Sequence, residues 1–335
     1  MKLSVVIPSF YPAVIYGGPI FTSLHTAEEL AKLGIEVKVS TTNANMTKRL
    51  DIKPNVWHEK SHNLFVKYYN ETIINYLSIS QILLIWKDIR QSDIVHLQVL
   101  FRDLVPFVLL YAKILKKKVL LTPHGVLGQW CLASGSRYKS LWLKWLIKPF
   151  NSTTIWHATA EMEKMEILSV FPDAKVEVIA NGIQLQEFEN FNLLARDELV
   201  KKFTKKNLDV EKVIVSMGRL QKKKGFDILI DSFSEALRVY PNAKLLIAGQ
   251  DEGEETNLLI QIRESNLDNN VFLVGSISGQ DKVDFLANAD LFVLPSHNEN
   301  FGIVYAESLA AGTPIVASRN TPWAEVEEAQ CGRWV

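Results

Sequence analysis

The sequence predicts an α/β protein made of two successive halves, each a parallel sheet covered by helices. Three observations carry that reading. Short β-branched runs alternate with amphipathic helical stretches, the pattern that parallel sheets require. Several of those runs end at a glycine that precedes a helix, which sets backbone amides at the strand carboxyl ends, where open α/β sheets bind ligands. The alternation then stops at a polar, charged stretch, Gln184–Glu211, and restarts. The chain has 335 residues, and at roughly 100–200 residues per domain this predicts two domains. They are placed at 1–182 and 183–335 and read as Rossmann-like halves facing each other across a cleft.

In the first half, Leu3–Ile7 reads as a buried strand, Leu24–Leu33 as a helix stopped by Gly34, and Val37–Thr41 as a second strand. Asp93–Leu97, Lys118–Leu121, Thr154–Ala158 and Val176–Ile179 repeat the strand signal before Asn181-Gly182. In the second half, Lys212–Met217 is a strand ending at Gly218, and Phe226–Val239 a helix closed by Pro241. Ala243–Ala248 and Val271–Val274 are strands ending at Gly249 and Gly275. Lys282–Asn288 is helical, Leu291–Leu294 a strand, Gly302–Ala311 a helix stopped by Gly312, and Pro314–Ala317 a strand. Cys331–Val335 reads as a strand with no closing helix behind it, so the C-terminal portion is expected to be truncated.

Composition excludes several classes. Hydrophobic residues make up 47% and charged residues 22%, as in globular chains that bury cores without staples. Two cysteines, Cys131 and Cys331, suggest neither a disulfide framework nor a metal knuckle and fit a reducing, cytoplasmic setting. The uncharged stretch Thr72–Trp86 is only 15 residues long, short of the roughly 20 that a membrane span needs. The N-terminal apolar run stops at Pro8, too short for a signal peptide. The net charge of zero hides an asymmetry: residues 1–180 carry 21 Lys/Arg and 14 Asp/Glu, residues 181–335 carry 16 and 23. A basic half fits an anionic partner, or simply attracts the acidic half. No nucleic-acid partner is indicated.

Four segments carry chemistry. The strongest runs from Pro295 to Glu307: a strand ends, a loop carries Glu299, and Gly302 opens a helix whose free N–H groups can hold an anionic or hydroxyl-rich ligand. Glu299 outside the helix and Glu307 within it can face one ligand from different heights and accept hydrogen bonds from sugar hydroxyls. The plain alternative is a dipole-favoured charge and a solvated helix face. The second segment is Gly218–Gly225, where Arg219 can bind a phosphate in bidentate fashion and Lys224 adds a point charge. Lys222 and Lys223 fit a solvated basic loop. The third is the loop from Ser9 to Gly17-Gly18-Pro19, whose glycines permit close approach of backbone to phosphate but lack the three-glycine dinucleotide fingerprint. The fourth is Thr122-Pro123-His124-Gly125, where His124 either orients donor or acceptor, assists proton movement, or is simply satisfied in its loop. His96 and His157, nearer strand centres, read as structural. No Asp-x-Asp pair occurs, which removes one common metal–diphosphate grip.

Taken in order and at these spacings, Gly17-Gly18, His124-Gly125, Asn181-Gly182-Ile183, Gly218-Arg219, Lys224-Gly225 and Glu299-x7-Glu307 around Phe301-Gly302 give a chain that resembles the large retaining glycosyltransferase family 4 over nearly its whole length. The resemblance implies a GT-B fold, with residues 1–182 on the acceptor side and 183–335 binding the nucleotide sugar. It implies that Arg219 and Lys224 hold the donor diphosphate, with Gly18 approaching it from the first half. Glu307 would bind the ribose hydroxyls. Glu299 and the amides of Phe301, Gly302 and Ile303 would grip the transferred sugar, and His124 would line the reaction centre. Such enzymes transfer a hexose with retention and without an essential metal or other cofactor. UDP-sugar is favoured over GDP-sugar as donor, and a glycan or lipid-linked molecule as acceptor. The stretch from His124 through Trp130 to Trp145 looks like bacterial members that build exopolysaccharide or lipopolysaccharide. Two departures stand out: Gln184 replaces the usual Asp of the hinge, and the C-terminal helix that returns to the first half has no counterpart. Competing readings are a nucleotide-sugar epimerase or a phosphorylase on the same architecture, or a silent nucleotide-sugar binder. A dehydrogenase is disfavoured by the missing glycine fingerprint.

Finally, Arg137–Lys148 interleaves basic, aromatic and aliphatic residues. On a helix it would lie at an anionic bilayer surface, making the protein peripheral on the inner face of the plasma membrane. The alternative is a helix packed on the first half with its lysines reaching outward.

Overall fold

The computed structural model describes residues 1–46, 48–72, 77–133 and 137–335. Of the segments discussed above, residues 73–76 of Thr72–Trp86 and residues 134–136 of the stretch from His124 to Trp145 lie outside them. The chain divides into two compact units, Met1–Gly182 and Ile183–Val335.

Unit 1 begins with β1 (Lys2–Val6), α1 (Gly18–Lys32), β2 (Glu36–Thr42), the short β3 (Ala44–Asn45) and β4 (Lys48–Arg49), β5 (Trp57–Ser61) and β6 (Leu64–Tyr69). It continues with α2 (Ile79–Arg90), β7 (Ile94–Leu97), α3 (Leu104–Ile114), β8 (Lys118–Leu121), α4 (Gln129–Ala133), α5 (Arg137–Trp142), β9 (Thr154–Ala158), α6 (Glu161–Val170) and β10 (Lys175–Val178). The eight-stranded sheet has the order β10-β9-β8-β7-β1-β2-β6-β5. All pairs are parallel except the edge pair β5 with β6, so the all-parallel expectation fails at that edge. Two buried clusters flank the sheet: one centres on Trp156, Ile85 and Val105, the other on Val37, Val66 and Tyr68.

Unit 2 runs α7 (Arg196–Thr204), β11 (Val213–Met217), α8 (Phe226–Ala236), β12 (Lys244–Ala248), α9 (Glu255–Glu264), β13 (Val271–Gly275) and α10 (Gly279–Ala287). It ends with β14 (Leu291–Leu294), α11 (Ile303–Ala310), β15 (Ile315–Ala317), α12 (Glu325–Glu328) and β16 (Gly332–Trp334). Its six strands are all parallel in the order β13-β12-β11-β14-β15-β16, with Phe233, Leu246, Phe285 and Phe292 in the core.

Three further sequence expectations need correction. Helix α1 starts six residues before Leu24, because Gly18-Pro19 occupies its first positions, where proline costs no hydrogen bond. The polar stretch Gln184–Glu211 contains α7. Only Leu199 and Val200 of that helix are buried, so its hydrophobic period is swamped by charge, and Glu198 reaches back 2.8 Å to the Ala195 N–H to start it. Arg137–Lys148 is not one helix: α5 is followed by a π-helical turn, Leu143–Ile147, and a 3-10 turn from Lys148. Among the described residues no helix is long and apolar enough to cross a membrane.

Candidate functional site

Among the parallel strands of the two large sheets the order reverses once in each, and such a reversal leaves a crevice at the strand carboxyl ends. In unit 2 it lies between β11 and β14. The loops leaving those two strands are Gly218–Gly225 and Pro295–Gly302, the two segments singled out for phosphate and sugar binding.

These loops are locked together through their backbones. The His297 N–H donates to the Lys223 carbonyl at 2.9 Å. Gly225 adopts a left-handed conformation, φ +68°, and a Cβ there would fall 2.3 Å from the Pro295 carbonyl oxygen. No other residue fits without separating the loops. Lys224, held between them, lays its stem over Gly218 and brings Nζ to 2.5 Å from Glu299 Oε2. Both side chains are only 14% exposed, so this pair is far better shielded from water than a surface salt bridge.

Gly302 caps α11 at φ +73°. The Tyr305 N–H closes onto the Gly302 carbonyl, while the amides before it have no partner within the helix and face the crevice end of the macrodipole. Phe301 is fixed by Trp323, whose indole N–H donates to the Phe301 carbonyl at 2.6 Å and whose ring lies 5.4 Å from the Phe301 ring. The fully buried Tyr305 hydroxyl donates to the Leu294 carbonyl, and burial pushes its ionisation well above the ordinary phenol range. The structure therefore brings Lys224, Glu299, Phe301, Gly302 and Ile303 into one crevice.

The remaining two residues of this group sit beside it. Glu307, on α11, is not a solvated helix-face charge: it accepts a 2.8 Å bond from Lys282 of α10, and the two side chains are 15% and 20% exposed. Arg219 points to the neighbouring loop after β12. Its Nη1 lies 2.9 and 3.2 Å from the two oxygens of Glu252, in a half-exposed pair. Sequence reasoning missed Lys282 and Glu252, since only the fold brings them near their partners. Lys222 is exposed, in keeping with a solvated loop.

In unit 1 the sheet order reverses between β1 and β7. Gly18 is the exposed first residue of α1, after a left-handed Gly17. His124 follows β8 in a left-handed conformation, φ +55°, rare for a non-glycine residue. Burial, reinforced by the nearby His157, pushes its imidazole down to about 4. His96 is pushed down to about 3 by burial, with His157 and His124 adding to the effect. Among the described residues no group of three His, Cys, Asp or Glu side chains could hold a metal ion.

Comparison with known proteins gives a consistent picture. Residues 16–187 match the model of Glycosyltransferase Family 4, and residues 198–335 that of Glycosyl transferases group 1. An uncharacterised glycosyltransferase of Methanocaldococcus jannaschii is 36% identical over 159 residues, 46% of this chain and 40% of that one. Alpha-monoglucosyldiacylglycerol synthase of Streptococcus pneumoniae is 27% identical over 327 residues, 96% of this chain and 71% of that one. The match thus spans less than half of the archaeal relative's length. Among solved structures, HepE of Anabaena in complex with UDP superposes with a TM-score of 0.77 at 18% identity, covering 100% of this chain and 85% of that one. The similarity in fold is to GT-B proteins.

Proposed function

The chain belongs to glycosyltransferase family 4, and from that premise we propose that it moves a hexose from a nucleotide-diphospho sugar to a glycan or lipid-linked acceptor with retention of anomeric configuration. One observation carries the reading: Lys224, Glu299 and the free amide end of α11 converge at the β11/β14 reversal of unit 2.

The reacting bond is that between C1 of the sugar and the diphosphate oxygen. As it breaks, its electron pair stays on the phosphate, and the growing charge is met by Lys224, Arg219 and the α11 amides. Lys224 has three donors, so its ammonium can serve Glu299 and a phosphate oxygen together. Arg219 exchanges Glu252 for the diphosphate, an inexpensive exchange because the pair is half-exposed. Glu299 accepts from the sugar hydroxyls, and Glu307 from the ribose. The acceptor hydroxyl forms the new bond on the face the diphosphate leaves, and its proton passes to the departing phosphate oxygen. From unit 1, Gly18 offers the amides that open α1, and His124 serves as a neutral hydrogen-bonding group at the transferred sugar. Residues 183–335 are thus assigned to the donor and residues 1–182 to the acceptor side. UDP is the preferred nucleotide, supported by the UDP complex of the Anabaena protein. The Streptococcus pneumoniae glycolipid synthase supports a lipid-linked acceptor.

Such an acceptor calls for contact with a membrane surface. The 57 residues from Leu104 to Ala160 contain eight Lys/Arg and no Asp or Glu. Within them Tyr138, Leu141 and Trp145, spaced three and four apart, are 78%, 53% and 66% exposed. Each cation near an anionic leaflet contributes about 1 kcal/mol. The protein should float with anionic liposomes at low salt, and recovery in the bottom fraction would contradict peripheral binding.

The catalytic reading is tested by a donor panel of UDP-glucose, UDP-galactose, UDP-N-acetylglucosamine and GDP-mannose, scored by nucleoside diphosphate release and thermal shift. Glu299→Ala should abolish transfer while nucleotide binding largely survives. Failure of every donor to bind, or full turnover by Glu299→Ala, would overturn the proposal.

A further inference from the structure

Unit 1 carries a polar array, buried at Ser23, Gln98, His96 and Thr122, that the transfer chemistry above does not use. It lies across the carboxyl ends of β7, β8, β9 and β10. Its direction is fixed at one end: His157 Nε2 lies 2.8 Å from the Ile179 carbonyl, which can only accept. In the neutral ring His157 Nδ1 is then the acceptor, and the Thr122 hydroxyl lies 2.9 Å from it. With its proton committed there, Thr122 accepts from His96 Nε2 at 2.9 Å. His96 Nδ1 accepts in turn from Gln98 Nε2 at 3.3 Å, and Gln98 Oε1 from Ser23 of α1 at 2.7 Å. Every member is satisfied and every bond points the same way. The chain passes through Gln98, beside the β1/β7 reversal, and starts at the Ser23 hydroxyl of α1.

Thr122 lies two residues before His124. On the other side, the Gly125 N–H donates to Glu163 Oε1 at 2.7 Å. Glu163 is itself fixed, its Oε2 accepting from the Thr159 N–H at 2.7 Å and the Thr159 hydroxyl at 2.9 Å. Thr122, Thr159 and Glu163 are each 1% exposed. His124 and Gly125, at φ +55° and +71°, are two successive left-handed residues between these anchors. Glycine adopts this state freely, but for His124 it is unfavourable and persists only where the surroundings over-determine it, and such states cluster at functional sites.

We infer that Thr122 and Glu163 are positioning residues that clamp the peptide on either side of His124 and thereby aim its imidazole. The inference rests on the role proposed for His124 at the transferred sugar. The clamp also accounts for two histidines in strands, the buried His96 and the partly exposed His157: they hold Thr122 from both sides.

The test is a mutant cycle in the full chain, with UDP release from UDP-glucose, or from whichever donor the panel selects, as the rate. Glu163→Gln should lower kcat by about 100-fold, the scale of a small misplacement at a reacting centre, and leave donor KM nearly unchanged. In a His124→Ala background the same substitution should add little. Thr122→Val should behave likewise, and Thr122→Ser should restore the rate. A full Glu163→Gln effect in the His124→Ala background, or no effect in wild type, would overturn the inference. Histidine nitrogen NMR gives a readout that does not depend on activity. Thr122→Val should shift the ring signals of both His96 and His157, and Glu163→Gln those of His124. If His124→Ala alone retains wild-type turnover, the assigned role of His124 fails, and the NMR result decides the clamp. Unchanged His124 signals in Glu163→Gln would refute it.

Discussion

Replacing Gly302 with alanine sets two requirements of the crevice against each other. The residue must stay left-handed at φ +73° to turn the chain from β14 into α11, which costs a non-glycine residue about 1–2 kcal/mol. The new methyl would also lie 2.6 and 2.7 Å from two atoms of the Tyr305 ring and 2.8 Å from Glu299 Cγ. Tyr305 cannot yield, since it is fully buried with its ring packed 5.7 Å from both Phe292 and Trp323. Glu299 therefore moves and leaves Lys224. Overpacking of this kind costs about 1–3 kcal/mol, which makes about 2–5 kcal/mol in all. For a unit of this size that lowers its Tm by about 5–15 °C. Calorimetry and donor turnover measure the two effects together, with kcat falling by about 100-fold. A variant with wild-type Tm and turnover would refute this account of why a glycine stands at 302.

Other outcomes follow from the same geometry. Glu307→Gln leaves Lys282 half-buried with a weaker partner and removes the acceptor proposed for the ribose; the UDP dissociation constant should rise about tenfold, or about 1.4 kcal/mol, with kcat little changed by comparison, as titration calorimetry and steady-state kinetics would show. Asp284→Ala strips the acceptor that binds the Asn192 N–H and amide, Lys202 and Gln280. Breaking that buried cluster should cost about 3–5 kcal/mol in urea unfolding. Stability should also fall as the pH drops below neutrality. His96 and His124 titrate near 3 and 4 in the fold but near 6.5 when unfolded, so between those limits the unfolded chain binds more protons. Their contribution is complete above about pH 6.5 and declines by about 1.4 kcal/mol per pH unit for each histidine as the pH falls. Asp284 behaves differently: burial pushes its carboxyl up, but bonds from Asn192, Lys202 and Gln280 outweigh that and hold it well below the ordinary range. Its contribution is complete above about pH 4 and is lost only as the pH falls further. A stability flat from pH 6.5 to 4.5 would contradict the histidine term.

Much of the fold was legible because its punctuation is local. The strands before Gly218 and Gly302, and the reversal that sets their loops together, leave marks in the sequence itself: a β-branched run, a glycine, then a helical period. What stayed hidden was of two kinds. Strands β5 and β6 and helices α2, α3, α6, α7 and α9 were not read from the sequence; of these, α3 is apolar nearly all round and α7 charged nearly all round, so neither shows a clear period. The partners of the site residues escaped because pairing across a fold has no local signature. Lys282 is 25 residues from Glu307, Glu252 is 33 from Arg219, and Glu163 is 38 from Gly125. A reading of loops one at a time finds the charges that hold a ligand but not the charges that hold those charges.

Whether the β11/β14 crevice of unit 2 grips a nucleoside diphosphate is decided by a crystal structure with UDP. Diphosphate density is expected within hydrogen-bond distance of Lys224, of Arg219 turned away from Glu252, and of the amides at the start of α11, with the ribose on Glu307. UDP bound elsewhere on the chain, or a crevice left empty at saturating UDP, would contradict it.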